Sequence, residues 1–213
     1  MIKVLLVDDH QLVRSGIRRM LDDTDWLTVV GEAGSGEDCI NLVREHHPDV
    51  VLMDVNMPGM GGLEATRKLL RVQPDLRIIA LTIYMEEPYP SRLLEAGAVG
   101  YLTKGCAVEE IVEAIRCVTR GERYLGADIA QQMAKQGFAR QGSGQLDKLS
   151  QREIQVMLMI TQGYKMQEIS DTLCLSPKTV STYRYRLYEK LGVETDVELT
   201  HLAIRHGMID HLQ

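Results

Sequence analysis

The sequence predicts an α/β domain built on a parallel five-stranded sheet, followed by a small all-helical module. Three observations predict it. The first 120 residues or so alternate short β-branched runs with amphipathic stretches five times over, residues 121–147 lose that rhythm, and no strand pattern remains after Leu149. Strands alternating with helices must cross over and return in the same direction, which gives a parallel sheet covered on both faces. At 213 residues the chain fits two ordinary domains. Its 45% hydrophobic and 25% charged residues are an ordinary globular composition, which excludes a fibrous repeat or long disorder.

The strands are expected at KVLLVD, LTVVGEA, VVLMD, RIIALT and VGYLT, each followed by a helical pattern. In the fifth helix Val108, Ile111, Val112, Ile115 and Val118 recur at helical spacing and leave Glu109, Glu110 and Glu113 outward. A short helical piece, ADIAQQMAKQ, precedes GFARQGSGQ, whose glycines and polar residues mark a linker. The expected boundaries are therefore residues 1–121, a linker with a short helix at 122–146, and a helical domain at 147–213. Within the last, four short helical patterns break at Gly163, before Ser176-Pro177, and at Gly192.

No apolar run approaches the roughly 20 residues of a membrane helix, and MIKVLLVDDH reaches paired acids before a signal-peptide stretch develops, so a soluble cytoplasmic protein is expected. Cys39, Cys106, Cys117 and Cys174 lack the spacing of a zinc site or disulfide framework and read as buried small hydrophobes. The net charge of −6 speaks against a simple polyphosphate-binding protein, but it is uneven: 13 Lys and Arg face 19 Asp and Glu up to Gly121, and 11 face 11 beyond it.

Side chains at the carboxyl ends of parallel strands converge on one crevice, where ligands bind. The first strand ends in Asp8-Asp9, the third in Asp54, the fourth in Thr82, and Lys104 follows the fifth. Three carboxylates gathered together repel one another, and a hard divalent cation with oxygen ligands, magnesium, relieves that. The expected roles are Asp54 as nucleophile toward a phosphoryl group, Asp9 as metal ligand, Asp8 acting through water, and Asn56 giving a backbone carbonyl to the metal beside Asp54. Lys104 and Thr82 would hold phosphoryl oxygens. Each residue alone also fits turn or helix-cap chemistry; the joint placement at four strand ends singles them out.

The segments VLLVDDH, VVLMDVNMPGMGGLEATR and GYLTKG, with Thr82 between, resemble the receiver domain of two-component response regulators over residues 1 to about 120. The resemblance implies a flavodoxin-like fold, magnesium, and a phosphoryl group taken by Asp54 from a sensor histidine kinase. Gly105 stands where receivers often carry proline. Tyr101 falls where receivers carry a switch aromatic that swings inward as the threonine follows the phosphoryl group; an ordinary partly buried strand tyrosine is the alternative. Asn56 and Tyr84 flank the path of hydrolytic water in receivers, and Tyr84 would shield the acyl phosphate.

In the helical module, Ser176-Pro177 combines an N-cap hydroxyl with proline at the first helical position. Ile169, Leu173, Leu175, Val180 and Leu187 are its candidate core. From Ser176 to Lys190 four basic residues meet one acid, net +3, which suits a helix lying in the major groove of DNA. The elements LSQRE, EIS, LSPKTV and KLGV resemble the LuxR-type DNA-binding domain, and with the receiver they imply a response regulator of the NarL/FixJ family. The implied base-facing residues are Ser181, Thr182 and Tyr185, with Ser176, Lys178, Thr179 and Arg184 toward the DNA backbone. The family often carries lysine at the first and last of the base-facing positions, so a shallower salt dependence is expected here. The last helix, Asp196 to His206, would cover the core or make a dimer contact.

GGLEATRKLL, DIAQQMA, TYRYRLYEKL and DVELTHLAIRHGM further resemble regulators whose phosphodonor is a hybrid sensor histidine kinase and whose major targets are promoters of small regulatory RNAs. The sequence reading is thus a phosphorylation-switched transcription factor, not an enzyme, that pairs as a homodimer on double-stranded promoter DNA and has no membrane partner. Two alternatives stand beside it: an aspartyl-phosphate phosphatase, which usually has a second acid where this chain has Asn56, and a DNA-binding protein with a vestigial receiver.

Overall fold

Successive residues of a strand point to opposite faces, so strand parity decides which helices each side chain meets. The computed structural model describes residues 1–83, 89–137 and 148–205. The chain divides into two units near residue 134.

The first unit runs β1 (Ile2–Val7), α1 (Gln11–Asp22), β2 (Leu27–Ala33), α2 (Gly36–His46), β3 (Val50–Asp54), α3 (Gly62–Val72), β4 (Arg77–Thr82), α4 (Tyr89–Glu95), β5 (Gly100–Thr103), α5 (Val108–Thr119), β6 (Tyr124–Leu125) and α6 (Ala127–Gly137). Among the described residues the strands form one parallel sheet in the order β2-β1-β3-β4-β5-β6. Val4 and Leu6 of β1 pack with Ile17 and Leu21 of α1 and Ile111, Ile115 and Val118 of α5. The intervening Leu5 and Val7 pack with Cys39 and Val43 of α2 and Ala65 and Leu69 of α3. Burial on both faces is why the strands read as continuous apolar runs rather than as alternating ones.

The sheet is one strand wider than the five expected. β6 is two residues long and pairs Tyr124 with Gly100 and Leu125 with Tyr101; a segment that short carries no periodicity to read. It begins the stretch assigned to the linker, and α6 covers the short helix expected there. The glycine-rich stretch that follows lies outside the described residues.

The second unit comprises α7 (Gln151–Thr161), α8 (Met166–Leu173), α9 (Pro177–Leu191) and α10 (Asp196–Arg205). Ser150 caps α7 in a capping box: its hydroxyl accepts from the Glu153 N–H at 3.3 Å while Glu153 accepts from the Ser150 N–H at 2.6 Å. Ser176 caps α9 by accepting from the Thr179 N–H at 3.1 Å, and α9 ends at Gly192, whose φ of 66° is the left-handed conformation that glycine adopts without penalty. The core joins Ile154 and Met157 of α7, Ile169 and Leu173 of α8, Val180, Leu187 and Leu191 of α9, and Leu199 and Ala203 of α10. Of the expected core only Leu175 is less than fully buried. His206 lies outside the described residues.

All four cysteines are free thiols, but only Cys39 is buried; Cys106 and Cys117 are intermediate and Cys174 is exposed. The reading as buried hydrophobes holds for one of them. Cys174 ends α8 at a φ of 53°, a C-cap position that faces solvent. Among the described residues no helix is long and apolar enough to cross a membrane.

Candidate acidic site and nucleic-acid interface

Parallel pairing brings the strand ends to one edge. β3 lies between β1 and β4, with Val7 opposite Met53 and Asp54 opposite Leu81, while Thr82 of β4 lies opposite Thr103 of β5. Asp8, Asp54 and Thr82 are all buried. The Lys104 N–H donates to the Thr82 carbonyl at 2.8 Å, and its side chain turns into the site: Nζ is 2.8 Å from Asp54 Oδ2 and 2.7 Å from Asp8 Oδ2. The other Asp54 oxygen accepts from the Asn56 N–H at 3.2 Å.

Burial is the strongest influence on the Asp54 carboxyl. It pushes the pKa up to about 6 even though Lys104, by hydrogen bond and charge, and the Asn56 N–H pull it down; Asp8 adds to the rise. Burial disfavours the charge on Lys104 as well, but its bonds to Asp54 and Asp8 outweigh that and raise its pKa above the ordinary lysine range. One ammonium therefore serves two carboxylates, Asp54 and Asp8.

Ligand atoms of Asp8, Asp9, His10 and Asp54 all lie within 4.8 Å of one another. Oxygen donors from three acids, with their negative charge unbalanced by Lys104 alone, fit a hard cation such as Mg2+. The imidazole nitrogen is a softer donor.

Three participants escaped the sequence reading. His10 Nδ1 lies 2.8 Å from Asp9 Oδ1 and 3.2 Å from Asp8 Oδ1, and the His10 N–H donates to Asp8 Oδ1 at 2.8 Å. Arg14, one helical turn further on, donates through Nη1 to the Asp8 carbonyl. Glu37 of α2 accepts from the Met60 N–H at 2.9 Å and so holds the loop after Asp54. His10 follows the paired acids directly as the N-cap of α1 and Arg14 lies at the end of its first turn, which was the available signal; nothing local marks Glu37.

Gly62 begins α3 against the backbone of Asp54. A Cβ there would sit 2.1 Å from the Asp54 carbonyl oxygen and 2.9 Å from Val55 Cα, so only glycine fits. Gly105, beside Lys104, has nothing within 4 Å of such an atom. Tyr101, expected as a switch or a partly buried tyrosine, is wholly buried at 0% exposure. Tyr84 lies outside the described residues.

On α9, Lys178, Ser181, Thr182, Tyr185 and Arg186 are exposed, Tyr185 by 70%. Ser176 and Thr179 share a hydroxyl contact of 2.8 Å at the helix start, and the Thr182 hydroxyl donates to the Lys178 carbonyl at 2.9 Å. Arg184, expected toward the DNA backbone, directs its guanidinium at Asp196, with Nη2 2.6 Å from Oδ2.

Residues 4–116 match the response regulator receiver domain, and residues 147–203 match the bacterial regulatory proteins of the luxR family. The chain is 61% identical over 211 residues to response regulator GacA of Pseudomonas aeruginosa, covering 99% of each chain. It is 57% identical over 209 residues to response regulator UvrY of Escherichia coli, covering 98% of this chain and 96% of the relative. Among solved structures it is similar to RcsB of Salmonella enterica serovar Typhimurium bound to a promoter in the presence of the phosphomimetic BeF3-. The TM-score is 0.65 at 29% identity, over 94% of this chain and 96% of that one.

Proposed function

The chain belongs to the response regulators with a LuxR-type DNA-binding domain, a family of transcription regulators rather than enzymes, and on that premise we propose that phosphorylation of Asp54 controls its binding to promoter DNA. The observation that carries this reading is the Lys104 ammonium held 2.8 Å from Asp54 and 2.7 Å from Asp8 at the strand ends. An oxygen of Asp54 forms the new P–O bond as the P–N bond of a phosphohistidine breaks, and the donor imidazole recovers a proton. Lys104 neutralises phosphoryl charge and the Thr82 hydroxyl donates to a phosphoryl oxygen. Asp9, Asp54 and the Asn56 carbonyl would hold Mg2+, with Asp8 acting through water, and the ion would supply positive charge to offset that of the carboxylates and phosphoryl group.

The phosphodonor is a hybrid sensor histidine kinase and the targets include promoters of small regulatory RNAs. Thr82 moves toward the phosphoryl group, and the buried face around Tyr101 repacks. Domains at 1–121 and 147–213, joined by the segment at 122–146, let the helical module pair as a homodimer on an inverted repeat. Ser181, Thr182 and Tyr185 face bases, and Ser176, Lys178 and Thr179 face the DNA backbone. The protein works in the cytoplasm.

The test is Mg2+-dependent capture of BeF3- by the full chain, followed by DNA binding. Wild type should bind promoter DNA more tightly with BeF3-, and Asp54→Ala should fold but show no response. A response in that variant refutes the assignment; a wild type that binds DNA equally with and without BeF3- favours a vestigial receiver.

A further inference from the structure

Position along a helix fixes direction, at 100° per residue. Val180, Leu187 and Leu191 form the buried stripe of α9. Arg184 lies four residues after the first and three before the second, so it belongs to that stripe, about 40° from Val180 and about 100° from Tyr185. Arg184 is half-buried while Ser181, Thr182 and Tyr185 are exposed.

The head of Arg184 is engaged through Nε and Nη2. Nη2 lies 2.6 Å from Asp196 Oδ2, and Nε donates to Asp196 Oδ1 at 3.0 Å and to the Tyr188 hydroxyl at 3.0 Å. The Tyr188 hydroxyl donates in turn to Asp196 Oδ1 at 2.6 Å, and the guanidinium carbon stands 5.4 Å from the centre of the Tyr188 ring. A planar fork matched to both oxygens of one carboxylate fixes orientation as well as distance. Asp196 is the first residue of α10, where a negative charge also suits the helix dipole.

We propose that Arg184, Tyr188 and Asp196 form a clamp that fixes the rotation of α9 about its own axis against the start of α10, and so aims Ser181, Thr182 and Tyr185 at the bases. Arg184 is a positioning residue and makes no phosphate contact. The proposal rests on the DNA-binding reading of the module.

The test uses the full chain with Mg2+ and BeF3-, and as probe a duplex enriched from a random-sequence pool by the wild type. Affinity is measured against salt for wild type, Arg184→Gln, Asp196→Asn, the double variant, and Tyr188→Phe, which keeps the ring and removes only the bridging hydroxyl. Each single variant should weaken binding roughly three- to tenfold, and the double variant should be no weaker than Arg184→Gln alone. The salt slope should stay at the wild-type value in all of them, because no phosphate contact is lost.

A slope reduced by about 0.9 in Arg184→Gln would identify a phosphate contact and overturn the clamp. Losses that multiply in the double variant would overturn it too. Failure of the wild type to enrich any duplex sinks the DNA-binding reading and the clamp together, whereas enrichment followed by multiplicative losses sinks the clamp alone.

Discussion

Replacing Gly62 by alanine should damage both the stability and the chemistry of the receiver, through one contact. The added Cβ would stand 2.1 Å from the Asp54 carbonyl oxygen, and contacts below 3.0 Å are essentially not found, so the approach of α3 to β3 must open by about 0.9 Å. The obstructing atoms are backbone, with no flexible side chain to swing aside. Overpacking of this kind costs about 2–3 kcal/mol, or roughly a 10 °C fall in the unfolding midpoint for a domain of this size. The displaced atom is the carbonyl of Asp54 itself, and on the proposed role of that residue a misplacement of about 1 Å costs on the order of a hundredfold in rate. The assay is urea unfolding followed by Trp26, the only tryptophan in the chain, which packs against the α1 and α5 side of the sheet and therefore reports on this unit alone. It is paired with the rate of phosphoryl uptake from a small acyl phosphate. Gly105→Ala is the control, since its Cβ meets nothing within 4 Å. The steric argument is refuted if Gly62→Ala unfolds at the same urea concentration and phosphorylates at the same rate as Gly105→Ala.

Two further outcomes follow from other parts of the same domain. Burial raises the Asp54 pKa from 3.8 to about 6, so in the absence of Mg2+ the folded state holds this proton more tightly than the unfolded chain does. Wild-type stability should fall as pH rises from about 4 to 6 and level off above, by about 3 kcal/mol from this residue. Asp54→Asn should lack that decline, and parallel profiles from Trp26 unfolding would show that the carboxyl is not strained. Gly16 sits inside α1 with open space around its Cβ position. Gly16→Ala should stabilise the receiver by about 0.5–1 kcal/mol without changing phosphoryl uptake, and a loss of stability in the same assay would contradict the open-space reading.

The sheet was legible because burial on two faces leaves uninterrupted apolar runs, and VVLMD or RIIALT cannot be mistaken for an amphipathic surface. The acidic site was legible for a related reason: parallel strands all end at one edge, so a residue at a run's end has a known place. β6 was hidden by its length of two residues. The charge of α9 was legible as a count, but its partners were not. Lys190 pairs with Glu153, 37 residues away, and Arg184 with Asp196, 12 residues away. Counting charges along a stretch cannot see carboxylates that the fold brings in from elsewhere. Glu37 escaped for the same reason, since its contact with Met60 spans 23 residues.

The carboxylates that engage Lys190 and Arg184 also bear on how this protein searches a genome. Dwell time on an arbitrary duplex is set by the number of counterions a protein displaces, and each uncommitted lysine or arginine lengthens it. A recognition helix that commits two of its four cations to carboxylates of its own chain should leave non-cognate sites quickly. On the proposed base contacts of Ser181, Thr182 and Tyr185, hydroxyl and ring contacts that only the right sequence satisfies would then hold it where it lands.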